Sequence, residues 1–301
     1  MTPLSQVLSG YSKALYSSWL YYKPDRILVD CGEGAASTLG NNCFAIESIL
    51  LTHGHIDHVS GLPGFLWART SAMGANEKPL RIYFPRGDIF FADMRAYIDA
   101  VNSKFTFPLE WIPLEAGESF ELQRGRSVEC FATQHSQGSA SLGYKIIETR
   151  KRLRPEWANL GQAEIRQRIQ SGETTEAMME EYAGIKLAHG GDGLPLDPNL
   201  IAGSEILVHE ATILDAANRK GQSHSTLGEA LEVANAAQPG TLLLNHISGR
   251  YKRSEIETAI REGATQREIG FPIWCLRQDN LWPVWNPDSS ANLNSPAAEP
   301  S

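Results

Sequence analysis

Short apolar runs of four to eight residues, separated by amphipathic stretches, recur along the chain from Leu28 to Trp285. Runs of that length suit strands, and the amphipathic stretches suit helices that cover a sheet, so the pattern predicts an α/β chain. Strands are predicted over 14–22, 26–30, 48–52, 80–84, 127–133, 142–148, 205–209, 241–245 and 271–277, and helices over 90–101, 161–170, 227–238 and 254–262. The turn Lys23-Pro24-Asp25 joins two of these strands as a hairpin. Residues 1–286 are read as a single domain. From 287 to 301 the chain offers Asn, Ser, Ala and Pro with almost nothing apolar to bury, and a disordered tail is expected. Residues 150–186 break the pattern, being helical in period and poor in strand formers, with Arg150, Lys151, Arg152 and Arg154 at their start. They are expected to form a helical insertion that packs over a site, with a solvated pair of surface helices as the alternative.

Composition narrows the class. The 301 residues suffice for a large core, no apolar run is long enough to cross a bilayer, and the first 22 residues lack a basic start followed by an apolar stretch. A cytoplasmic address is the default expectation. Cys31, Cys43, Cys130 and Cys275 show no CxxC spacing and are too few for a disulfide scaffold, so they are expected reduced and buried. A net charge of -8 argues against general nucleic-acid affinity, but leaves room for phosphate chemistry at divalent cations.

The chemistry begins where one strand ends. The run Ser48-Ile-Leu-Leu-Thr52 leads directly into His53-Gly-His-Ile-Asp-His58. On a helix His53 and His55 would point to nearly opposite sides, whereas a loop that Gly54 lets curl tightly turns both inward. Imidazoles with a carboxylate are ligand types for zinc, and a carboxylate-bearing second position also accepts manganese or iron. An HxHxDH string arises by chance in such a composition on the order of a few times in ten thousand, so packed or exposed histidines do not account for it.

This loop resembles the signature of the metallo-β-lactamase superfamily. The resemblance implies a four-layered αββα sandwich with two metals, taken as Zn2+, at one edge. It also implies ligands farther along: His135 in Thr-Gln-His-Ser, Asp192 in Gly-Gly-Asp-Gly and His246 in Asn-His-Ile-Ser. His53, His55 and His135 then hold one zinc, Asp57, His58 and His246 the other, and Asp192 bridges. His135 and His246 each follow a predicted strand; Asp192 has none before it, and His189 is the nearby competitor. Asp30, ahead of Cys-Gly-Glu-Gly, matches the carboxylate that steadies the metal loop from behind.

His209-Glu-Ala-Thr212, His224-Ser-Thr226 and Asn245-His-Ile-Ser-Gly-Arg-Tyr251 are similar to the ribonuclease Z-like branch. The branch pairs Glu210 with His224 as a dyad near the metals. His224 then serves as the acid for the departing oxygen, and Asp57 orients the attacking group. Ser225 and Thr226 also stand where a helix cap belongs. Three departures loosen the inference to substrate. The start is Ser9-Gly-Tyr-Ser-Lys-Ala-Leu in place of a Gly-rich strand with a proline motif. The interval 150–186 lacks the Gly-Pro-rich arm that grips transfer RNA, and Gly193 replaces a threonine after the bridging aspartate. The leading expectation is a dizinc phosphodiesterase, an endoribonuclease acting on precursor transfer RNA. Hydrolysis of another ester (a small phosphodiester, sulfate ester, lactone or cyclic nucleotide) is the alternative, and a non-catalytic metal- or RNA-binding relative is a third reading. The resemblance also implies a homodimer, in which one subunit's arm lies near the other's site.

Overall fold

A computed structural model of the chain describes residues 3–72, 78–101 and 104–288. Apart from Pro287 and Asp288, the tail expected from 287 lies outside the described residues.

Fourteen strands form two sheets. The first contains β1 (Leu8–Lys13), β2 (Ser17–Tyr22), β3 (Ile27–Val29), β4 (Ser48–Leu50), β5 (Leu80–Pro85) and β6 (Leu109–Leu114), in that spatial order. The second contains β7 (Ser119–Glu121), β8 (Arg126–Ala132), β9 (Leu142–Leu153), β10 (Met179–His189), β11 (Leu207–Glu210), β12 (Leu242–Asn245), β13 (Ile273–Arg277) and β14 (Asn280–Trp285), again in order. Both sheets are mixed: β3 to β6 and β10 to β13 run parallel, and the outer pairs are antiparallel. Nine α-helices are described: α1 (Leu4–Val7), α2 (Ala35–Leu39), α3 (Ile56–Val59), α4 (Leu62–Ala72), α5 (Ile89–Val101), α6 (Gln162–Gln170), α7 (Thr175–Met178), α8 (Leu227–Ala237) and α9 (Arg253–Gln266).

Period-two alternation explains the layers. In β4, Leu50 faces the other sheet while Ile49 faces α4, and in β12 Leu243 points between the sheets while Leu242 and Leu244 pack on α8 and α9. A strand covered on both faces needs apolar residues throughout, hence the unbroken runs in the sequence. The middle core joins Leu20, Val29 and Leu50 to Val128, Ile146, Leu187 and Val208. Helices α4 and α5 close one outer face, α8 and α9 the other, giving an αββα arrangement.

The interval 150–186 departs from its expectation. β9 continues to Leu153 and β10 begins at Met179, so much of the segment is a two-stranded antiparallel arm, with α6 and α7 confined to its tip. Cross-strand charge explains how a sequence poor in strand formers pairs this way. Arg152 meets Glu180 at 2.7 Å and Lys151 meets Glu181 at 3.6 Å, both between register partners, while Arg152 covers the Tyr182 ring. Arg150, Lys151 and Arg152 of the basic entry are therefore paired with acids, while Arg154 Nε donates to the Met179 carbonyl. Nor does the arm cover its own chain's metal loop. The Leu142 N–H bonds to the Thr52 carbonyl beside that loop, and eleven further residues of β9 carry the tip roughly 35 Å from it at strand rise. Strands β1, β6, β7 and β14 and helix α4 are elements that the pattern did not single out.

Candidate metal centre

The centre lies at the end of the sandwich where β4, β10, β11 and β12 terminate. Leu51 and Thr52 extend β4 and release the chain into His53-Gly-His, after which α3 carries Asp57 and His58. Gly54 has a reason that the sequence did not disclose. A Cβ there would meet the backbone N of Phe91 at 2.3 Å, so glycine admits the first turn of α5 against the metal loop. Asp192 follows β10 by three residues, supplying the strand missing from the sequence reading.

The structure gathers the seven candidate ligands into two adjoining groups. His53, His55 and His135 present donor atoms within 4.8 Å of one another, as do Asp57, His58, Asp192 and His246. Asp192 also lies within that span of His135 and His224. Its Oδ2 stands 3.2 Å from His58 Nε2 and 3.0 Å from His246 Nε2.

Four of the five candidate ligand imidazoles are fixed from behind at Nδ1, while His55 turns Nε2 to Ser136 Oγ at 3.2 Å. Thr52 Oγ1 donates to Asp30 and so is left to accept from His53 Nδ1, at 3.0 Å. Thr212 Oγ1 donates to Glu210 and stands 2.9 Å from His246 Nδ1, repeating the arrangement for the second group. His58 Nδ1 donates to Asp30 Oδ2 at 2.8 Å, and His135 Nδ1 donates to the Ser223 carbonyl at 2.8 Å. These contacts place the proton on Nδ1 and aim Nε2 into the centre, the orientation a divalent metal requires. His53 Nε2 is buried without any hydrogen-bond partner, and a buried imidazole nitrogen stranded among other donors fits a cation. Thr52 and Thr212 were not singled out as site residues; their signal was a hydroxyl residue beside a ligand or dyad residue.

Electrostatics divide the two groups. Burial and the neighbouring His58 hold His53 well below the ordinary imidazole range, and burial likewise lowers His55 and His135. Burial acts the same way on His246 but is outweighed by Asp192 and Asp57, which push it up to about 10. His58 is raised by Asp192 and Asp30 against its burial. Asp192 stays far below the carboxylate range because His246 and His58 flank it, overcoming its desolvation. Two carboxylates thus converge on the two imidazoles of the second group, a donor set that suits a divalent cation.

Beside the ligands, His224 Nδ1 contacts Glu210 Oε1 at 2.8 Å, and its ring stacks on His246 with centroids 5.4 Å apart. The Glu210 contact raises His224 against its burial. Glu210 is itself fixed by the N–H groups of Gly193 and Thr212. Gly193 sits at φ +155°, where a Cβ would meet the Gln134 carbonyl at 2.7 Å, so a threonine does not fit this backbone. Thr226 and Glu229 form a capping box on α8, so the His224-Ser-Thr226 segment both caps a helix and delivers His224. The two leftover histidines lie outside the ligand groups. His189 Nδ1 accepts from the Gly191 N–H at 3.0 Å, and His209 donates to the Glu210 carbonyl at 2.7 Å.

A further contact comes from the β1–β2 hairpin. Leu15 at its tip holds φ +64° and donates its N–H to Asp57 Oδ2 at 3.0 Å. That conformation costs an L-residue about 1–2 kcal/mol.

The model of the beta-lactamase superfamily domain matches residues 25–247 of this sequence, a span containing every candidate ligand described above and the Glu210–His224 pair. The chain belongs to the metallo-β-lactamase superfamily. It is a hydrolase of that superfamily with a buried His/Asp metal site. A protein named ribonuclease Z from Gemmatimonas aurantiaca is 33% identical over 252 residues, covering 76% of this chain and 78% of that one. One named ribonuclease BN from Citrobacter koseri is 31% identical over 276 residues, covering 84% and 87%. Among solved structures, the short form of human tRNase Z superposes with a TM-score of 0.59 at 19% identity over 92% of this chain and 98% of that chain. Zn2+-bound PqqB from Methylobacterium extorquens gives 0.56 at 14% identity, covering 91% and 99%. These superpositions speak to the fold. No helix among the described residues is long and apolar enough to cross a membrane.

Proposed function

We propose that this chain is a two-metal phosphodiesterase of the ribonuclease Z kind, an endoribonuclease whose substrates include precursor transfer RNA. The observation that carries the reading is the Glu210–His224 pair, 2.8 Å apart and stacked against ligand His246. A phosphodiester needs a proton for its departing oxygen, and an imidazole kept protonated by a buried carboxylate beside the metals can provide it. The relatives named ribonuclease Z and ribonuclease BN support RNA as the substrate class.

His53, His55 and His135 would hold one cation and Asp57, His58 and His246 the other, with Asp192 between them. Zinc suits this donor set, with manganese or iron acceptable at the carboxylate-rich position. Two such cations supply Lewis-acid polarisation of a phosphoryl oxygen and a lowered pKa for water. The chain's own residues do the rest. Asp57 lines the cleft, where its carboxylate can accept a hydrogen bond from a water and orient it. His224 donates a proton from Nε2 to the leaving oxygen while Glu210 holds Nδ1, and Thr212 couples Glu210 to His246.

The neutralised arm favours a second reading, hydrolysis of a small ester, because Arg152 and Lys151 are already paired with acids. One experiment separates the two. Zinc-reconstituted protein is incubated with precursor transfer RNA and with bis-p-nitrophenyl phosphate. The proposal expects cleavage of both; turnover of the small diester alone rejects RNA as substrate. Turnover of neither, with two metals bound, rejects the phosphodiesterase reading.

A further inference from the structure

The metal cleft has an unusual wall. Its cavity of about 180 Å³ is lined by Leu15, His55, Asp57, His135, Ser136, Asp192, Ser223, His224 and His246. Leu15 is the single apolar side chain among these, and it is 85% exposed. It stands in a three-residue turn between β1 and β2, in the left-handed conformation that glycine or asparagine adopts more readily than leucine. The chain nevertheless places leucine there. Its N–H is spent on Asp57 Oδ2, which fixes the turn over the cleft and leaves the isobutyl group projecting beside the ligands. Strain at a functional site, together with an apolar group that buries nothing in the fold, points to a contact made with something bound.

A second apolar surface adjoins the cleft at His55. Phe90 packs edge-on against the His55 ring with centroids 4.8 Å apart, and His55 is shared between the metal cleft and a groove of about 480 Å³ that also contains Ile56 and Tyr97. Within the cleft itself, however, Leu15 is the apolar group that a bound phosphate ester meets.

We propose that Leu15 is a specificity-determining residue of the cleft, forming the apolar wall against which a phosphate ester's organic group lies. The site would thus favour phosphodiesters in which a flat aromatic group, such as an aryl ester or a nucleobase, adjoins the scissile phosphate. This rests on the phosphodiesterase reading for its substrate class, but its test does not depend on turnover.

The test compares binding of phenylphosphonate and methylphosphonate to the zinc-loaded protein by titration calorimetry, in the wild type and in Leu15→Gly. Glycine keeps the N–H on Asp57 and accepts the left-handed turn, so the variant retains its fold, which a thermal melt checks. The wild type is expected to prefer phenylphosphonate about tenfold, which one buried aromatic contact provides. Leu15→Gly should reduce that preference to about twofold, and Leu15→Met should restore it. With p-nitrophenyl diesters the same change should raise KM while leaving kcat within about twofold. An unchanged phenyl preference in Leu15→Gly overturns the proposal, as does a wild type that binds both ligands equally. If the preference falls as expected but no diester is turned over, Leu15 keeps its role and the phosphodiesterase reading is the one that fails.

Discussion

Asp30→Asn tests whether the centre is organised from behind as the hydrogen bonds indicate. Asp30 ends β3 at φ +57°, a conformation asparagine tolerates well, so the backbone should not move. Its Oδ1 accepts from the Thr52 N–H at 2.7 Å, and the amide oxygen of asparagine can continue to accept there and from Thr52 Oγ1. Its Oδ2, 2.8 Å from His58 Nδ1, becomes an NH2 group. Two donors then face each other, and His58 relieves the conflict by moving its proton to Nε2, the atom that points at Asp192. That proton occupies the metal-binding position. Loss of such an outer partner typically costs ten- to a hundredfold in metal affinity, about 1.4–2.8 kcal/mol. The effect should be selective: the group containing His58 weakens, while the group containing His53 keeps its Thr52 contact and its affinity. Competition against a chromophoric chelator, with the two equivalents resolved, reads this directly. One buried polar group left badly paired also costs about 1–3 kcal/mol, a fall in Tm of roughly 2–12 °C. Wild-type affinity at both positions, or weakening confined to the His53 group, would refute the reasoning.

Proton release offers a second test. The raised pKa of His246, about 10, means that its imidazole is protonated at pH 7 in the metal-free protein, and Asp192 and Asp30 raise His58 in the same direction. Raised values stabilise the metal-free fold below the ordinary histidine range, and this contribution fades as the pH climbs through about 10. Metal uptake needs the neutral ring, so it should expel at least one proton at pH 7; calorimetry in buffers of different ionisation enthalpy counts the protons, and none released would contradict the charge state. The expected homodimer is best sought on α5. Phe90, Tyr97 and Val101 recur on it at spacings of seven and four and stay exposed, beside Trp67 and Ile56 on α4 and α3, while Phe91 and Ile98 face the core. Sedimentation velocity should show a dimer that Tyr97→Glu converts to monomer, and a wild-type monomer at tens of micromolar protein would end that expectation.

What could be seen in the sequence follows from how each feature is built. The α/β class was legible because strands covered on both faces are apolar at their centres, as 49–51 and 242–244 are, whereas the four-layered αββα arrangement was implied only by the resemblance that the metal loop carries. The buried His/Asp cluster was legible because a metal demands particular side chains, and His53 to His58 pack four such candidates into six residues. The arm was misread for the opposite reason. Its strands are held by pairs such as Arg152–Glu180 and Lys151–Glu181, about thirty residues apart, and each strand alone carries the composition of a polar helix.

The support of the centre was hidden for a further reason: it lives in backbone conformation and in hydroxyl groups. Asp30, His246 and Leu15 all hold positive φ, at +57°, +53° and +64°, and none is a residue whose type announces it as glycine does. Each is retained by a contact across the fold: Asp30 with Thr52 and His58, the His246 N–H with Ser12 Oγ at 2.7 Å, and Leu15 with Asp57. The β1 strand therefore reaches both ends of the second ligand group, through Ser12 below His246 and through the hairpin tip above Asp57. An opening stretch that departs from the pattern of the branch the sequence resembles is thus physically coupled to the second group of candidate ligands. Divergence there can retune what the metals act on while the ligands themselves stay in place.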